Sequence, residues 1–365
     1  MQEFMPGLQL CGRYYAELIR PLLEKHAPCL IHSAALIGPG SEVLGFDTPM
    51  SMDHDWFPRL FVFLAEADAP RKDELDALLA RELPAEFLGF PVRAQESPLE
   101  AGTLTMAAGE GGPGRHQVRF VTLASFARQC MDWDVSGPFD TRRWLTTPSQ
   151  TLRSMTAGMV YHDGLGVLQP FRKHLEWYPH DVWLYRMAGA WNQIGNEEHL
   201  MPRAGFVGDE LGSRIIAARL VHTLMQLCFL LERQYAPYPK WFGSAFKQLC
   251  CADEMAPHLL KVLGAETWQE RQAAMAPASE LLARMHNALD LTEPVTATAG
   301  PFFERPFQVI GGGRFDAALR ERIADPQLQA ALQKGGALGG IDEITDNTEL
   351  GSNPTWWKDL HGLFA

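Results

Sequence analysis

The sequence predicts an α+β protein in which an N-terminal α/β domain with a mixed sheet is followed by a mostly helical domain. The first part of the chain alternates short runs of β-forming residues with helical patterns, and the middle part is dominated by long apolar segments at helical spacing. The last part mixes Gly, Pro and Asp with short apolar pieces. We therefore expect a domain over 1–150, a helical domain over 151–292 and a C-terminal extension over 293–365 that packs on the other two.

The first elements follow from their periodicity. Apolar residues recur at helical spacing from Leu8 to Lys25, and Pro28 ends that pattern. Two runs rich in β-formers follow, from Cys29 to Gly38 and from Trp56 to Ala65, and they predict strands. Pro58 lies early in the second run, which predicts an edge position or a bulge there.

The remaining elements of the N-terminal domain are one helix and further strands. Arg71 to Glu82 suits a helix, and Gly89 to Gln95 and His116 to Leu123 read as strands that border a Gly-rich turn at Gly109 to Gly114. The pattern changes after Pro148, where apolar segments at helical spacing begin. A helical domain is expected from there.

Composition and charge restrict the function classes. Apolar residues make up 46% and charged residues 21%, as in soluble globular proteins, and the net charge of -12 argues against non-specific binding to nucleic acid or to an anionic membrane. The apolar stretch from Leu220 to Leu231 is too short to span a bilayer, and the N-terminus lacks a basic-then-apolar signal pattern. We expect a cytoplasmic protein with no membrane partner. The six scattered cysteines read as buried thiols.

The segment GSEVLGFDTPMSMDHDW carries the chemistry. In a strand, alternate side chains share a face, so the carboxylates of Asp53 and Asp55 would project together while His54 points away. Two adjacent carboxylates repel each other unless a cation intervenes, and Mg²⁺ prefers oxygen ligands. Gly40 would let the backbone approach phosphate, and the Ser41 hydroxyl would bind the phosphate oxygens. A site for a metal ion and a nucleoside triphosphate is therefore predicted.

A Gly-Ser pair, a spacer of this length and Asp-x-Asp resemble the signature of the polymerase-β-type nucleotidyltransferase superfamily. The segment is also similar to an uncharacterised bacterial branch that is known only as a domain of unknown function. That similarity continues through LEWYPHDVWLYRMAGAW, GDELGSRIIAARLVHTLM and YAPYPKWF. The resemblance implies that Gly40 and Ser41 contact the triphosphate of ATP or another nucleoside triphosphate, and that Asp53 and Asp55 are catalytic residues that bind Mg²⁺.

A third carboxylate, which members of the superfamily usually carry on a later strand, has no obvious counterpart. HQVRFVTL contains no acid, and two other positions are candidates. One is Glu110, in the Gly-rich turn. The other is Glu210, which follows Asp209 at a predicted helix start and is the catalytic candidate from the helical domain. The alternatives are a solvated turn residue for Glu110 and helix capping for Asp209 and Glu210.

Lys240 lies in YAPYPKW, where two prolines stiffen the chain and three aromatic residues surround the lysine. Such a platform would project Lys240 towards a triphosphate. In antibiotic nucleotidyltransferases, which resemble this layout, a lysine from the helical part has that role. The alternative is a cation packed on Tyr or Trp.

Together these features predict a Mg²⁺-dependent nucleotidyltransferase. It would move a nucleoside monophosphate from a nucleoside triphosphate to a hydroxyl of a small-molecule or protein acceptor and release pyrophosphate. Two alternatives stay open. One is a catalytically silent nucleotide-binding module with a regulatory or interaction role, and the other is a phosphotransferase that moves the γ-phosphate.

Overall fold

A computed structural model of the chain describes residues 3–107, 114–135, 137 and 140–364. The protein is α+β, as predicted, with a mixed sheet in its N-terminal part and mostly helices in its C-terminal part. The strands are β1 (His32–Leu36), β2 (Arg59–Leu64), β3 (Glu86–Phe87), β4 (Phe90–Pro91), β5 (Arg93–Glu96), β6 (Leu104–Met106), β7 (Arg115–Thr122), β8 (Met159–Asp163), β9 (Gly300–Pro301) and β10 (Gln308–Val309).

The α-helices follow the same order along the chain. They are α1 (Gly7–Tyr14), α2 (Arg20–His26), α3 (Lys72–Glu82), α4 (Leu123–Met131), α5 (Thr141–Thr146), α6 (Ser149–Thr156), α7 (Leu168–His174), α8 (His180–Glu197), α9 (Leu200–Phe206), α10 (Glu210–Leu231), α11 (Pro239–Phe246), α12 (Ala252–Gly264), α13 (Trp268–Ala288), α14 (Gly312–Arg320), α15 (Pro326–Gly335), α16 (Ile341–Ile344), α17 (Thr348–Ser352) and α18 (Pro354–Trp357). A π-helical turn joins α1 to α2.

The chain divides into two compact units. Unit 1 comprises Met1–Pro138 and Thr151–Glu176, and unit 2 comprises Phe139–Gln150 and Trp177–Ala365. This division differs from the predicted domain ranges because β8 pairs with β1 in unit 1. The segment before residue 151 belongs to unit 2, where the Ser149 hydroxyl donates to the carbonyl oxygen of Ala236 at 2.9 Å.

Unit 1 is built around a six-stranded sheet in the order β6-β5-β7-β2-β1-β8. β2 and β7 are parallel, and the other pairs in the sheet are antiparallel. Apolar residues of the N-terminal helix, such as Leu10, Tyr14 and Ile19, are buried in one cluster with Val62 and Phe120 of the sheet. Removal of this apolar surface from water stabilises the unit.

Several predicted elements of unit 1 are confirmed. α1, the π turn and α2 form one helical stretch over the range predicted from Leu8 to Lys25, and α3 covers the second predicted helix. The two β-rich runs contain β1 and β2. The expectation for Pro58 is wrong, because β2 begins one residue later and lies between β7 and β1. Pro58 therefore precedes the ladder, where its missing N–H removes no bond.

β8 was not expected, since the chain from about residue 152 to residue 289 was predicted to be helical. The strand has five residues, lies at a sheet edge and is mostly half-buried. Its stability comes from hydrogen bonds with β1, a partner that lies more than 120 residues earlier, for example His162 opposite Ala34. A periodicity argument cannot detect such a partner.

Unit 2 is largely helical, and the C-terminal tail packs into it. α14 lies against α8, and a Cβ added at Gly189 of α8 would be 2.2 Å from the backbone nitrogen of Gly339, so helix and tail are in close backbone contact. The buried guanidinium of Arg186 bonds to Asp342 at 2.7 Å and to Glu343 at 2.8 Å. The tail therefore completes the core of unit 2.

α10 is the one helix in the described residues that is long and apolar enough to cross a membrane, and 61% of its apolar window is buried within the protein. That degree of burial is typical of a core helix.

The burial of the cysteines is less uniform than expected. Cys11 and Cys228 are buried, but Cys29 and Cys250 are exposed, so the interpretation as buried thiols is wrong for the latter two.

Candidate functional site

The predicted site residues of unit 1 gather at one end of the sheet. β1 and β2 are antiparallel, with Ala35 opposite Phe61. Residues that follow β1 and residues that precede β2 therefore lie at the same end. Gly40 and Ser41 follow β1, and Asp55 precedes β2. The topology thus brings the two halves of the predicted motif together.

The loop after β1 is a tight turn. Gly40 has a φ of +140°, a conformation that favours glycine. The amide of Phe46 donates to the carbonyl oxygen of Ser41 at 3.0 Å, and the amide of Gly45 donates to the carbonyl oxygen of Glu42 at 3.1 Å. Among the residues that the structure describes, the Ser41 hydroxyl makes no hydrogen bond. It therefore remains available to a ligand.

A buried ion pair lies directly beside this loop. Arg59 Nε donates to Glu42 Oε1 at 2.7 Å, and Arg59 Nη2 donates to the carbonyl oxygen of Pro39. The side chains of Arg59 and Glu42 are only 16% and 3% exposed. Burial lowers the pKa of the Arg59 guanidinium, but the charge and hydrogen bond of Glu42 and the charge of Asp55 outweigh burial and raise it. Arg59 is therefore cationic.

Sequence reasoning missed this pair. Two signals were present: Glu42 directly follows Ser41, and Arg59 is the one basic residue between Asp55 and the apolar run of β2. Neither signal shows that the two side chains meet, because 17 positions separate them. Asp47 was missed as well. Its carboxylate accepts from the Gly7 amide at 2.7 Å and from the Trp56 indole at 3.0 Å.

The strand predicted for Asp53 to Asp55 is wrong. Asp53 ends a 3₁₀ helix, Pro49–Asp53, that begins with a capping box between Thr48 and Ser51. His54 Nδ1 lies 2.8 Å from Asp53 Oδ1, so His54 does not point away from the acids. Proline at the first helical position and the capping box favour a helical turn over an extended segment.

Asp55 has a φ of +51° and is fixed by β6. Its amide donates to the carbonyl oxygen of Leu104 at 2.8 Å, and the Leu104 amide donates to Asp55 Oδ1 at 2.9 Å. Leu104 lies opposite Glu96 in the ladder between β5 and β6. Asp55 is therefore bonded to β6, and Glu96 lies on the next strand.

The residues present fit one kind of metal site. The Asp53 and Asp55 side chains are exposed, and each keeps a carboxylate oxygen that has no hydrogen bond within the described part of the chain. No group of three or more His, Cys, Asp or Glu residues that could hold a metal ion occurs among the described residues. Mg²⁺ often takes one or two carboxylates together with water and substrate phosphates. Asp53 and Asp55 therefore fit a Mg²⁺ ion that also binds water and substrate phosphates, and they do not fit a metal ion held by protein ligands alone.

Glu210 lies in unit 2, at the first position of α10. One oxygen of its carboxylate bonds to Arg271 and the other accepts from the Trp268 amide at 3.3 Å. Asp209 caps the helix by accepting from the Gly212 amide at 2.7 Å. These contacts favour the capping alternative, and the catalytic role of Glu210 stays a prediction. Glu110 lies outside the described residues.

Lys240 also lies in unit 2, near the start of α11, with its side chain exposed. Its Nζ is 5.2 Å from the centroid of the Trp241 ring, which favours a cation packed on an aromatic ring. The platform itself is ordered by burial of Tyr235, whose ring centroid is 4.9 Å from those of both Trp177 and Tyr178. Contact between Lys240 and a triphosphate stays a prediction.

Comparison with known proteins gives three findings. Residues 144–242 match a family described as Domain of unknown function (DUF4037). The chain is similar to the solved structure of a nucleotidyltransferase-like protein from Exiguobacterium sibiricum 255-15, with 11% sequence identity over 87% of this chain and 91% of that chain and a TM-score of 0.32. None of the curated proteins matches.

The family match covers the three helical-domain segments on which the resemblance to a domain of unknown function depends, so that part of the resemblance is confirmed. The matched range holds Glu210 and Lys240 but not the segment from Gly40 to Asp55. A TM-score of 0.32 is too low for the solved structure to bear on the site.

Proposed function

We propose that the protein is a metal-dependent nucleotidyltransferase that moves a nucleoside monophosphate from ATP or another nucleoside triphosphate to a hydroxyl acceptor. The observation that carries the proposal is the placement of Gly40, Ser41 and Asp55 at one end of the sheet, around the cationic Arg59. This arrangement combines phosphate-binding groups with carboxylates. A small molecule or a protein side chain is the proposed acceptor, because the net charge of -12 disfavours nucleic acid.

The residues of the chain would divide the work in the following way. The Ser41 hydroxyl and the amides of the turn donate hydrogen bonds to the triphosphate. Asp53 and Asp55 would hold Mg²⁺, which when bound supplies positive charge at the phosphates. The acceptor oxygen attacks the α-phosphorus, the bond from that phosphorus to the β-bridging oxygen breaks, and pyrophosphate leaves with the electron pair. The acceptor proton passes to a base.

Glu96 is the carboxylate that we propose for that base. Its neighbour across the ladder, Leu104, bonds to Asp55 through both its amide and its carbonyl group. Directly opposed residues in an antiparallel pair have Cα atoms about 4.5–5.5 Å apart. Glu96 is exposed, and its carboxylate makes no hydrogen bond within the described residues. Glu96 is therefore a carboxylate of unit 1 that could serve as the third acidic residue of the site.

The test measures binding and turnover separately. Isothermal titration with the four Mg²⁺-bound ribonucleoside triphosphates should show binding to the wild type, and a pyrophosphate-release assay over a panel of hydroxyl acceptors should show turnover. The double variant Asp53→Asn, Asp55→Asn should lose both. The matched control is Asp73→Asn, Glu74→Gln, which removes the same charge from the first turn of α3. Equal binding by both double variants would overturn the metal assignment.

A second candidate function follows from β7, which contains no carboxylate. A nucleotide-binding module without catalysis would bind the triphosphate and release no pyrophosphate with any acceptor. A phosphotransferase would instead release a nucleoside diphosphate. Mass spectrometry of the nucleotide products distinguishes all three functions.

A further inference from the structure

We propose that the ion pair between Glu42 and Arg59 is a positioning element that holds the Gly40–Ser41 loop in the conformation that accepts phosphate. Its effect on nucleotide binding rests on the proposed function, but its effect on the loop does not. Neither residue belongs to the predicted motif. Both would act through the backbone of the loop.

The first argument is that the pair closes the loop from both sides. Glu42 directly follows Ser41, and Arg59 connects its carboxylate to the carbonyl oxygen of Pro39, the residue before Gly40. One guanidinium group therefore bridges the two ends of a four-residue segment. Because a guanidinium is planar and presents donors in a fixed fork, it fixes the distance between those two acceptors.

The second argument is burial. An ion pair with side chains that are 3% and 16% exposed has lost most of its hydration, and such a pair is tolerated only when its geometry is good and its remaining donors are satisfied. Removal of one partner leaves the other charge buried and unpaired. The pair is therefore stiff, unlike the exposed pair of Arg13 and Glu17, whose side chains are 42% and 47% exposed.

The third argument is the contact with Gly40. A Cβ at this position would lie 2.3 Å from Arg59 Nη2 and 2.6 Å from Glu42 Oε2, so the glycine Cα rests against the pair. The backbone at Gly40 is held by this contact as well as by its own turn. An anion site gains affinity when its donor amides are already in place before the ligand arrives.

Hydrogen exchange and anion binding together test the inference. Arg59→Lys keeps the charge but loses the fork, and Glu42→Gln keeps an acceptor but loses the charge. In both variants we expect the amides of Gly45 and Phe46, which donate to the carbonyl oxygens of Glu42 and Ser41, to exchange at least tenfold faster than in the wild type. The amides of β7 serve as an internal reference in the same sample. The dissociation constants for Mg²⁺-ATP and for inorganic tripolyphosphate should rise about tenfold, which corresponds to a loss of about 1.4 kcal/mol in binding free energy.

Leu75→Val, at a fully buried position of α3, is the control for general loss of stability. It should lower the melting temperature of unit 1 without accelerating exchange in the loop. Glu42→Asp, which shortens the carboxylate arm, provides a further variant in case Glu42→Gln does not fold.

The outcomes separate the inference from the proposed function. Loop amides that exchange at the wild-type rate in Arg59→Lys and Glu42→Gln would overturn the positioning role, even if the wild type binds nucleotide. A wild type that binds no triphosphate would overturn the proposed function. The exchange rates would then still decide whether the pair holds the loop.

Discussion

Asp55 and Leu104 bond to each other twice, because the Asp55 amide donates to the Leu104 carbonyl oxygen and the Leu104 amide donates to the Asp55 carboxylate. Asp55→Asn keeps an acceptor oxygen and a residue type that tolerates positive φ, so its free energy of unfolding should stay near the wild-type value. Asp55→Ala loses the bond and is strained at a φ of +51°, which should lower that free energy by about 1–3 kcal/mol. Urea denaturation measures both.

Asp55→Asn and Asp55→Ala should differ in stability but not in their loss of nucleotide binding. Both variants lack the negative charge, so isothermal titration should show at least tenfold weaker binding of the Mg²⁺-bound nucleotide to each of them. Asp55→Asn that binds as well as the wild type would show that the carboxylate has only a structural role.

Gly40→Ala should weaken nucleotide binding at least tenfold, because the new methyl group would displace the guanidinium of Arg59. Gly102→Ala is the matched control. Gly102 also has a positive φ, of +81°, but apart from its two chain neighbours no described residue has a heavy atom within 4 Å of an added Cβ. Both variants should lose about 1 kcal/mol of stability from backbone strain, Gly40→Ala should lose more because it disrupts the buried ion pair, and only Gly40→Ala should lose affinity. Equal affinity in the two variants would count against contact between the loop and the ligand.

Glu96→Gln should reduce pyrophosphate release at least 100-fold while leaving the dissociation constant for the Mg²⁺-bound nucleotide within about twofold, as expected for loss of a general base. Glu210→Gln should leave the turnover of the folded enzyme unchanged, because the contacts of Glu210 are with Arg271 and Trp268. It should instead lower the melting temperature. If instead Glu210→Gln abolished pyrophosphate release and Glu96→Gln did not, the third carboxylate would be that of Glu210.

His286 should make unit 2 sensitive to acid. Burial lowers the pKa of its imidazole to about 4, and the neutral ring accepts from the Trp191 indole at 3.3 Å. The unfolded chain binds a proton near pH 6.5. Stability from this group is therefore complete above pH 6.5 and is lost as the pH falls towards 4, by up to about 3 kcal/mol.

His286→Gln lacks this titration. Urea denaturation between pH 4 and pH 7 should therefore show a stability difference between wild type and variant that shrinks as the pH falls. A constant difference would mean that His286 is equally protonated in the folded and unfolded states.

Glu198 should have the opposite dependence. Burial raises the pKa of its carboxyl group to about 7, although the amides of Gly312, Ile310 and Gly311 donate to it and partly offset the effect. The folded state thus holds the proton more firmly than the unfolded state. Stability from this group is complete below pH 4.5 and is lost as the pH rises through 7.

Glu198→Gln lacks this titration, so its free energy of unfolding relative to that of the wild type should rise by up to about 3 kcal/mol between pH 5 and pH 8. The hydrogen bonds that the substitution changes add an offset that does not vary with pH. Chemical denaturation at several pH values measures this change. A relative stability that does not vary with pH would show that the amides keep the carboxylate ionised.

The helices and central strands of unit 1 could be predicted because their apolar spacing reports local geometry. β8 could not, since its order depends on hydrogen bonds to β1 far along the chain. The candidate site shows the same limit. Gly40, Ser41, Asp53 and Asp55 are visible as a motif, but the conformation of Asp55 depends on Leu104, 49 positions away.

Other parts of the site were hidden for a related reason. The sequence shows Glu42 and Arg59 but not that one neutralises the other, because a buried ion pair is a tertiary contact. For Glu210 and Lys240, the sequence left two interpretations open in each case. The contacts with Arg271 and with the Trp241 ring favour the structural one.

The path of the chain has a consequence for how the protein is made. It passes from unit 1 to unit 2 after residue 138, returns after 150 and leaves again after 176. A ribosome therefore releases more than four-fifths of unit 1 before β8, the edge strand that completes its sheet, and the β1 edge stays unpaired until β8 has been synthesised. For the same reason, no single protease cut can separate the two units into intact halves, and an isolated unit 1 requires that residues 139–150 be replaced by a linker.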